Sequence, residues 1–169
     1  NGGTTSLEIG DRNLFREGVT VHRGTEKGGG VTRIGSDNLL MAYSHVAHDC
    51  QLGDGIVMAN GVLVAGHVHV ESHVHMMGLA GIHQFCTIGR HAYVAAYTPV
   101  SHDVPPFMIV QGYPPRVRGF NEVGLSRHGF SPERIRALKE ACKKLYRSKL
   151  LRGEAMQALE LAAASNPDL

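Results

Sequence analysis

His48, Asp49 and Gly66 are the residues in this 169-residue chain whose types and spacing could do chemistry. An imidazole can take a proton from a hydroxyl near neutral pH. A carboxylate beside it orients the ring and favours its cation, and a glycine lets a substrate carbonyl approach a backbone N–H. Glutamine and histidine gather around these three if residues 18 apart stand in one column. His48 is then followed by Gly66 and Gln84, Asp49 by His67 and Phe85, and Ala47 and Ala65 by His83, with His45 on a neighbouring position. Such a set is equipment for acyl transfer to a hydroxyl without a covalent enzyme intermediate.

The elements that would make those columns are legible in the apolar period. Isoleucine, leucine, valine or methionine occupies Ile34, Leu40, Val46, Leu52, Met58, Val64, Val70, Met76, Ile82, Ile88, Val94 and Val100, every sixth position without a miss. Four residues after each, the side chain is usually small or β-branched, as at Ser44, Cys50, Val62, Val68, Val74, Ala80, Cys86, Ala92 and Thr98. Neither a helix nor an ordinary sheet has that period. It is the hexapeptide repeat of a left-handed parallel β-helix, in which three short strands and three corners form one coil around a stacked apolar interior.

Ile9, Phe15 and Val21 begin the same rhythm, and Val21 to Ile34 exceeds two hexads by one residue, so Gly24–Gly30 is expected to loop out of the coil. The repeat already runs at the first residues, although a solenoid end needs a cap, so N-terminal coils of a longer chain are expected before Asn1. The rhythm stops at Pro105-Pro106. Ser131-Pro132-Glu133 predicts a helix start with one apolar face from Ile135, Leu138, Cys142 and Leu145. A second helix is expected from about Glu154 to Ser165. The expected architecture is mainly β: a β-helix over 1–112, then a small helical domain over 113–169.

Other readings are weaker. His22, His69, His73, His75, His91 and His102 fit solvated surface, with His73 and His91 stacked one coil apart. No two histidines are separated by five residues, the spacing of two zinc ligands in the trimeric carbonic anhydrases of this fold, so no metal site is expected. Cys50 and Cys86 share a column two coils apart, roughly 9–10 Å at the parallel-strand spacing, too far for a disulfide. With Cys142 outside the repeat, all three are expected to be reduced. No long apolar run or signal peptide marks a membrane span or export, and a cytoplasmic protein is expected. Eleven of the 17 Lys and Arg lie between Arg116 and Arg152, against Glu122, Glu133 and Glu140. That patch suits an acidic partner; no stacking aromatic array or recognition motif supports nucleic acid.

The runs Ile9-Gly-Asp-Arg-Asn13, Val19-Thr-Val-His-Arg-Gly-Thr25, His45-Val-Ala-His-Asp-Cys50, Leu63-Val-Ala-Gly-His-Val68, Ile82-His-Gln-Phe-Cys86, Asp103-Val-Pro-Pro106 and Arg127-His-Gly-Phe-Ser131 resemble the acyl-carrier-protein–UDP-N-acetylglucosamine O-acyltransferases of lipid A synthesis. The resemblance covers most of the chain and implies a homotrimer with sites between neighbouring β-helices. It implies His48 as general base toward the glucosamine 3-hydroxyl, Asp49 as its support and the Gly66 amide as oxyanion donor. His45, His67, Gln84, Asn121 and Arg127 match positions that bind the sugar nucleotide or the acyl-phosphopantetheine arm, and His83 and Ala96 match positions lining the acyl channel. No bound cofactor is implied, because the acyl-phosphopantetheine arrives on acyl carrier protein. The chain departs from the family pattern at Tyr113-Pro114-Pro115 and at Val123. An N-acyltransferase and a zinc hydratase of the same fold are the alternatives.

Overall fold

Each hexad forms a two-residue strand followed by a corner, and the strand's second residue is the periodic apolar one. The computed structural model describes residues 4–147, 151, 153, 154, 156, 157 and 160. Three sheets result. The first contains Ser6–Ile9, Val31–Ile34, Gln51–Leu52, His69–Val70 and Thr87–Ile88. The second contains Leu14–Phe15, Leu39–Leu40, Val57–Met58, His75–Met76 and Tyr93–Val94, extended by Met108–Gln111 and Arg116–Phe120. The third contains Thr20–Val21, His45–Val46, Leu63–Val64, Gly81–Ile82 and Pro99–Val100. Every neighbour is parallel except the last pair of the second sheet, so the molecule is a parallel β-solenoid.

The interior is the periodic set itself. All twelve sixth-position side chains are at most 4% exposed, and the small residues from Ser44 to Val104 pack between them with similarly low exposure. Alternating large and small positions fill the narrow coil. Polar ladders close the corners: Asn38, 1% exposed, accepts the Ile56 N–H at 2.7 Å and donates to the Gly53 carbonyl at 3.1 Å.

Corners turn sharply because their second residue is left-handed. Asp49, His67 and Phe85, in one column, have φ of 61°, 61° and 65°. A side chain in that region is sterically costly outside glycine, and the stacked coils supply the constraint that holds it there. Coils between Val31 and Val100 pair at an offset of 18 residues, but the first pair stands 25 apart, as Thr20 does from His45, and the last 16, as Tyr93 does from Ile109. The surplus is the expected loop, which includes a short 3₁₀ turn at Glu26–Gly28.

The stem closes differently from the sequence expectation. Arg116–Phe120 returns antiparallel along Met108–Gln111, so residues 116–120 join the stem's sheet rather than a helical domain, and the compact units are Asn1–Asn121 and Glu122–Leu169. In the second unit, Glu122–Arg127 is one helix, ended by Gly129 at φ 79°. Pro132–Arg147 is the next, and its Ser131 hydroxyl accepts the Arg134 N–H as predicted for an N-cap. Leu125, Ile135 and Leu138 are buried, with Cys142 and Leu145 half-buried. Of the helix expected from about Glu154, helical residues are seen at 154, 156, 157 and 160; its end at Ser165 lies outside the described residues. No helix among the described residues is long and apolar enough to cross a membrane.

Candidate active site

The corner between the third and first sheets collects the residues singled out above. His48 and Asp49 are its first and second residues in one coil, Gly66 and His67 in the next, and Gln84 and Phe85 in the one after. Backbone bonds confirm the columns: His67 N–H donates to His48 O at 3.0 Å and Phe85 N–H to Gly66 O at 3.3 Å.

His48 Nδ1 lies 2.8 Å from Asp49 Oδ2. An ionised carboxylate only accepts, so the proton sits on Nδ1 and leaves Nε2 as the basic nitrogen. The His48 side chain is 41% exposed, whereas that of Asp49 is 0% exposed. Burial pushes the Asp49 carboxyl up, but bonds from the Thr25 hydroxyl, the Thr25 N–H and His48 outweigh it and hold the group below the ordinary carboxylate value. His67 packs edge-on to His48, with ring centres 5.2 Å apart, and stacks on Phe85 at 4.7 Å.

Gly66 lies directly beneath the His48 ring. A Cβ there would come within 2.7 Å of Cε1 and 3.0 Å of Nε2, so only glycine leaves the ring where it is. Among the described residues its N–H donates to no protein acceptor. A basic ring nitrogen and a free amide donor thus share one small patch.

His45 accompanies this patch on the third sheet. Its Nδ1 is 2.8 Å from the Thr20 hydroxyl and its ring meets His22 edge-on at 4.6 Å. Burial first, and His22 second, push the His45 pKa down, which favours a neutral imidazole. His45 and His83 line the same apolar groove of ≈ 470 Å³, with Ala47, Ala65 and Val100. A second cleft, ≈ 740 Å³, opens beside His48 and is lined by His22, Arg23, Thr25 and Lys27.

Other predicted residues stand elsewhere on the chain. Ala96 is the exposed first residue of a corner between the second and third sheets. Asn121 is 9% exposed, its amide donating to the His91 carbonyl at 2.8 Å, at the corner joining the first and second sheets. Arg127 is exposed at the end of the helix Glu122–Arg127 in the other compact unit. Glu122, beside the Val123 departure, pairs with Lys139.

One surface assignment is corrected. His91 is 7% exposed, because its ring is sandwiched in a stack with His73 at 4.8 Å and Phe107 at 6.0 Å. His22 is exposed as expected, with its ring against His45. Sequence reasoning also passes over Thr25, which donates its N–H to Asp49 Oδ1 at 2.8 Å and its hydroxyl to Oδ2 at 2.7 Å. The signal was present: counting back 25 residues rather than 18 from Asp49 reaches Gly24, Thr25's neighbour.

His48, Asp49 and His67 also offer three ligating atoms within 4.8 Å of one another. Both Asp49 oxygens are already occupied as acceptors, and a metal on the carboxylate side would have to replace the His48 Nδ1 proton. The neighbouring thiol is no nucleophile: burial pushes Cys50 up to about 11, and its Sγ faces the Ala65 carbonyl at 3.0 Å.

Comparison with known proteins finds relatives for nearly the whole chain. The family model "Bacterial transferase hexapeptide (six repeats)" matches residues 32–66, and "Udp N-acetylglucosamine O-acyltransferase; Domain 2" matches 103–169. An acyl-[acyl-carrier-protein]–UDP-N-acetylglucosamine O-acyltransferase of an Anaeromyxobacter species is 52% identical over 168 residues, 99% of this chain and 65% of that protein. The enzyme of the same name from Paracidovorax citrulli is 54% identical over 99% of this chain and 64% of its own length. The UDP-N-acetylglucosamine O-acyltransferase structure from Moraxella catarrhalis superposes with a TM-score of 0.93 at 44% identity, covering 99% of this chain and 65% of that one. The chain therefore spans just under two thirds of the length of the relatives it matches. With its hexad solenoid, its second unit and its sequence all matching theirs, it belongs to the family of the UDP-N-acetylglucosamine O-acyltransferases.

Proposed function

We propose that this chain carries the acyl-transfer site of an enzyme moving a 3-hydroxyacyl group from acyl carrier protein to the glucosamine 3-hydroxyl of UDP-N-acetylglucosamine, the first step of lipid A synthesis. The observation that carries the reading is the His48–Asp49 pair set over Gly66. His48 Nε2 removes the proton as the sugar 3-oxygen attacks the thioester carbonyl. The tetrahedral oxyanion is met by the Gly66 N–H. When the C–S bond breaks, the His48 proton passes to the departing phosphopantetheine thiolate, so the 3-O-acyl product and free thiol leave a neutral imidazole. The raised Cys50 pKa supports direct transfer without an acyl-enzyme.

Gln84, His67, His45 and Arg127 are the proposed contacts to the sugar nucleotide and acyl-phosphopantetheine arm. The apolar groove that His83 shares with His45 supports a role for it along the acyl path. Ala96 and Asn121 stand at other corners of the coil from His48, which supports a homotrimer in which a neighbouring copy brings them to the site. The basic run from Arg116 to Arg152 is the proposed footprint of acidic acyl carrier protein. The reaction as drawn needs no bound cofactor, and its carrier-borne donor suits the cytoplasm.

The test is His48→Ala in the full-length protein, assayed with hydroxyacyl carrier proteins of several lengths. A general base is worth about 10² to 10⁴ in rate, so kcat should fall by that factor with the oligomer intact. Activity above a tenth of the parent refutes the assignment. The three-ligand cluster favours a metal hydratase as second reading; stoichiometric zinc with loss of activity in chelator would select it.

A further inference from the structure

We propose that Thr25 is a positioning residue for the His48–Asp49 pair, and that the surplus loop after Val21 is a clamp delivering it to the buried carboxylate. The inference rests on the general-base reading of His48 and adds what keeps that base aligned.

A carboxylate with a fully buried side chain must be satisfied by hydrogen bonds. Asp49 has three from side chains and loop backbone, and Thr25 gives two of them: its N–H to Oδ1 and its hydroxyl to Oδ2. The third is His48. Holding both oxygens from one residue fixes rotation of the carboxylate about its last bond, which aims Oδ2 at His48 Nδ1. Thr25 is itself fixed, since its carbonyl accepts from Gly28 at 3.0 Å and Gly30 at 2.9 Å. The Asp49 backbone is tied separately, its N–H donating to the buried Thr32 hydroxyl at 2.8 Å.

A second observation converges on the same carboxylate. A Cβ on Gly28 would stand 2.1 Å from Asp49 Oδ2, so the loop backbone lies directly on the oxygen that His48 uses. Gly28 is required there for space, since its φ lies outside the left-handed range. The loop therefore both donates to Asp49 and covers it from water, which strengthens the bond to His48. Because His48 takes its orientation from Asp49 and Asp49 from Thr25, removing the hydroxyl should free the imidazole without touching a substrate contact.

Thr25→Val keeps the β-branched shape and the backbone N–H but loses the hydroxyl; Thr25→Ser restores it. In the full-length protein we expect Val to lower kcat by roughly tenfold or more with KM for both substrates within about twofold, and Ser to stay within about threefold of the parent. Nitrogen-15 NMR of the imidazoles reads the clamp independently of turnover: His48 should be the Nδ1–H tautomer in the parent and Ser protein and a mixture in Val. Gly28→Ala should reproduce the Val spectrum by pushing the carboxylate aside. If Val keeps parental kcat and the parental His48 tautomer while His48→Ala is inactive, the clamp is refuted and the base survives. If Val shifts the tautomer while His48→Ala remains active, the clamp stands and the acyl-transfer reading falls. A fall in folding stability shared equally by Val and Ser, with the tautomer unchanged, also overturns the proposal.

Discussion

Replacing Gly66 by alanine should displace His48, the proposed base, while leaving the amide donor in place. The new methyl would lie 2.7 Å from Cε1 of His48 and 3.0 Å from Nε2. Carbon atoms in contact rest about 3.5–4.0 Å apart, so the ring must retreat by roughly 1 Å. It can do so, because the side chain is 41% exposed and faces solvent on one side. Backbone strain is not at issue, since Gly66 is outside the left-handed φ range. The retreat instead stretches the 2.8 Å bond to Asp49 beyond hydrogen-bonding length, and a misplacement of about 1 Å is worth about 10² in rate. Steady-state release of carrier thiol should show kcat lower by about that factor, and thermal melting should change little, as for a substitution relieved toward solvent. The decisive arm is the double variant. With His48 already alanine there is no ring to displace, so Gly66→Ala should cost nothing further. A parental kcat in the single variant, or a full additional loss in the double, would refute the displacement.

Three other outcomes follow from the same coordinates. His45 should titrate below the ordinary histidine value, and because burial outweighs His22 among the causes, His22→Asn should raise the midpoint only part of the way back, as followed by NMR. The sign follows from linkage: a histidine whose folded pKa is lowered resists protonation in the fold, so stability declines as pH falls through the ordinary value, and His22→Asn should soften that decline. Asn38→Ala would orphan the buried Ile56 N–H and the Gly53 carbonyl, at a cost of about 2–4 kcal/mol, read by urea unfolding; a loss under about 0.5 kcal/mol would show that water replaces the amide. If Ala96 closes the acyl path, Ala96→Met should move donor preference toward shorter chains by roughly one to two decades, the worth of about 1–3 kcal/mol of overpacking. An unchanged ranking of donors would remove it from the channel.

Regular repetition explains both what could be read from the sequence and what could not. Twelve apolar positions at a constant interval fix which side chains face inward, so His48, Gly66 and Gln84 fall into one column by counting, as do His73 and His91. Counting also predicts the loop at Gly24–Gly30, where the interval fails. It does not say what the loop touches, because beyond that break the offset is 25 rather than 18 and the columns shift. Counting by 18 therefore reaches Asp49 and its column without reaching Thr25. The burial of His91 escaped for another reason: its stack is continued by Phe107, which belongs to the closing turns where no hexad holds. Paired prolines read as an exit from sheet, yet after the turn that holds them Arg116–Phe120 returns antiparallel along the preceding strand.

A repeat that specifies every coil alike cannot by itself distinguish one corner as a site. Corners throughout the solenoid use a left-handed residue: Tyr43, His73, Leu79, His91 and Tyr97 adopt it as fully as Asp49 and His67 do. The His48 corner differs in that repetition breaks on both sides of it. On one side, the inserted loop supplies the hydrogen bonds that let a carboxylate remain charged while buried; on the other, Gly66 lacks the side chain that would fill the space under the imidazole. Each departure is unfavourable or neutral for a bare solenoid, since a buried charge needs its partners and a glycine in regular structure adds entropy to the unfolded chain. Together they aim one basic nitrogen at the open space beside a free N–H. Separating them experimentally, the loop by Thr25→Val and the gap by Gly66→Ala, should lower kcat by displacing the same imidazole, so the two losses should combine less than additively; strict additivity would mean that at least one of them acts somewhere other than His48.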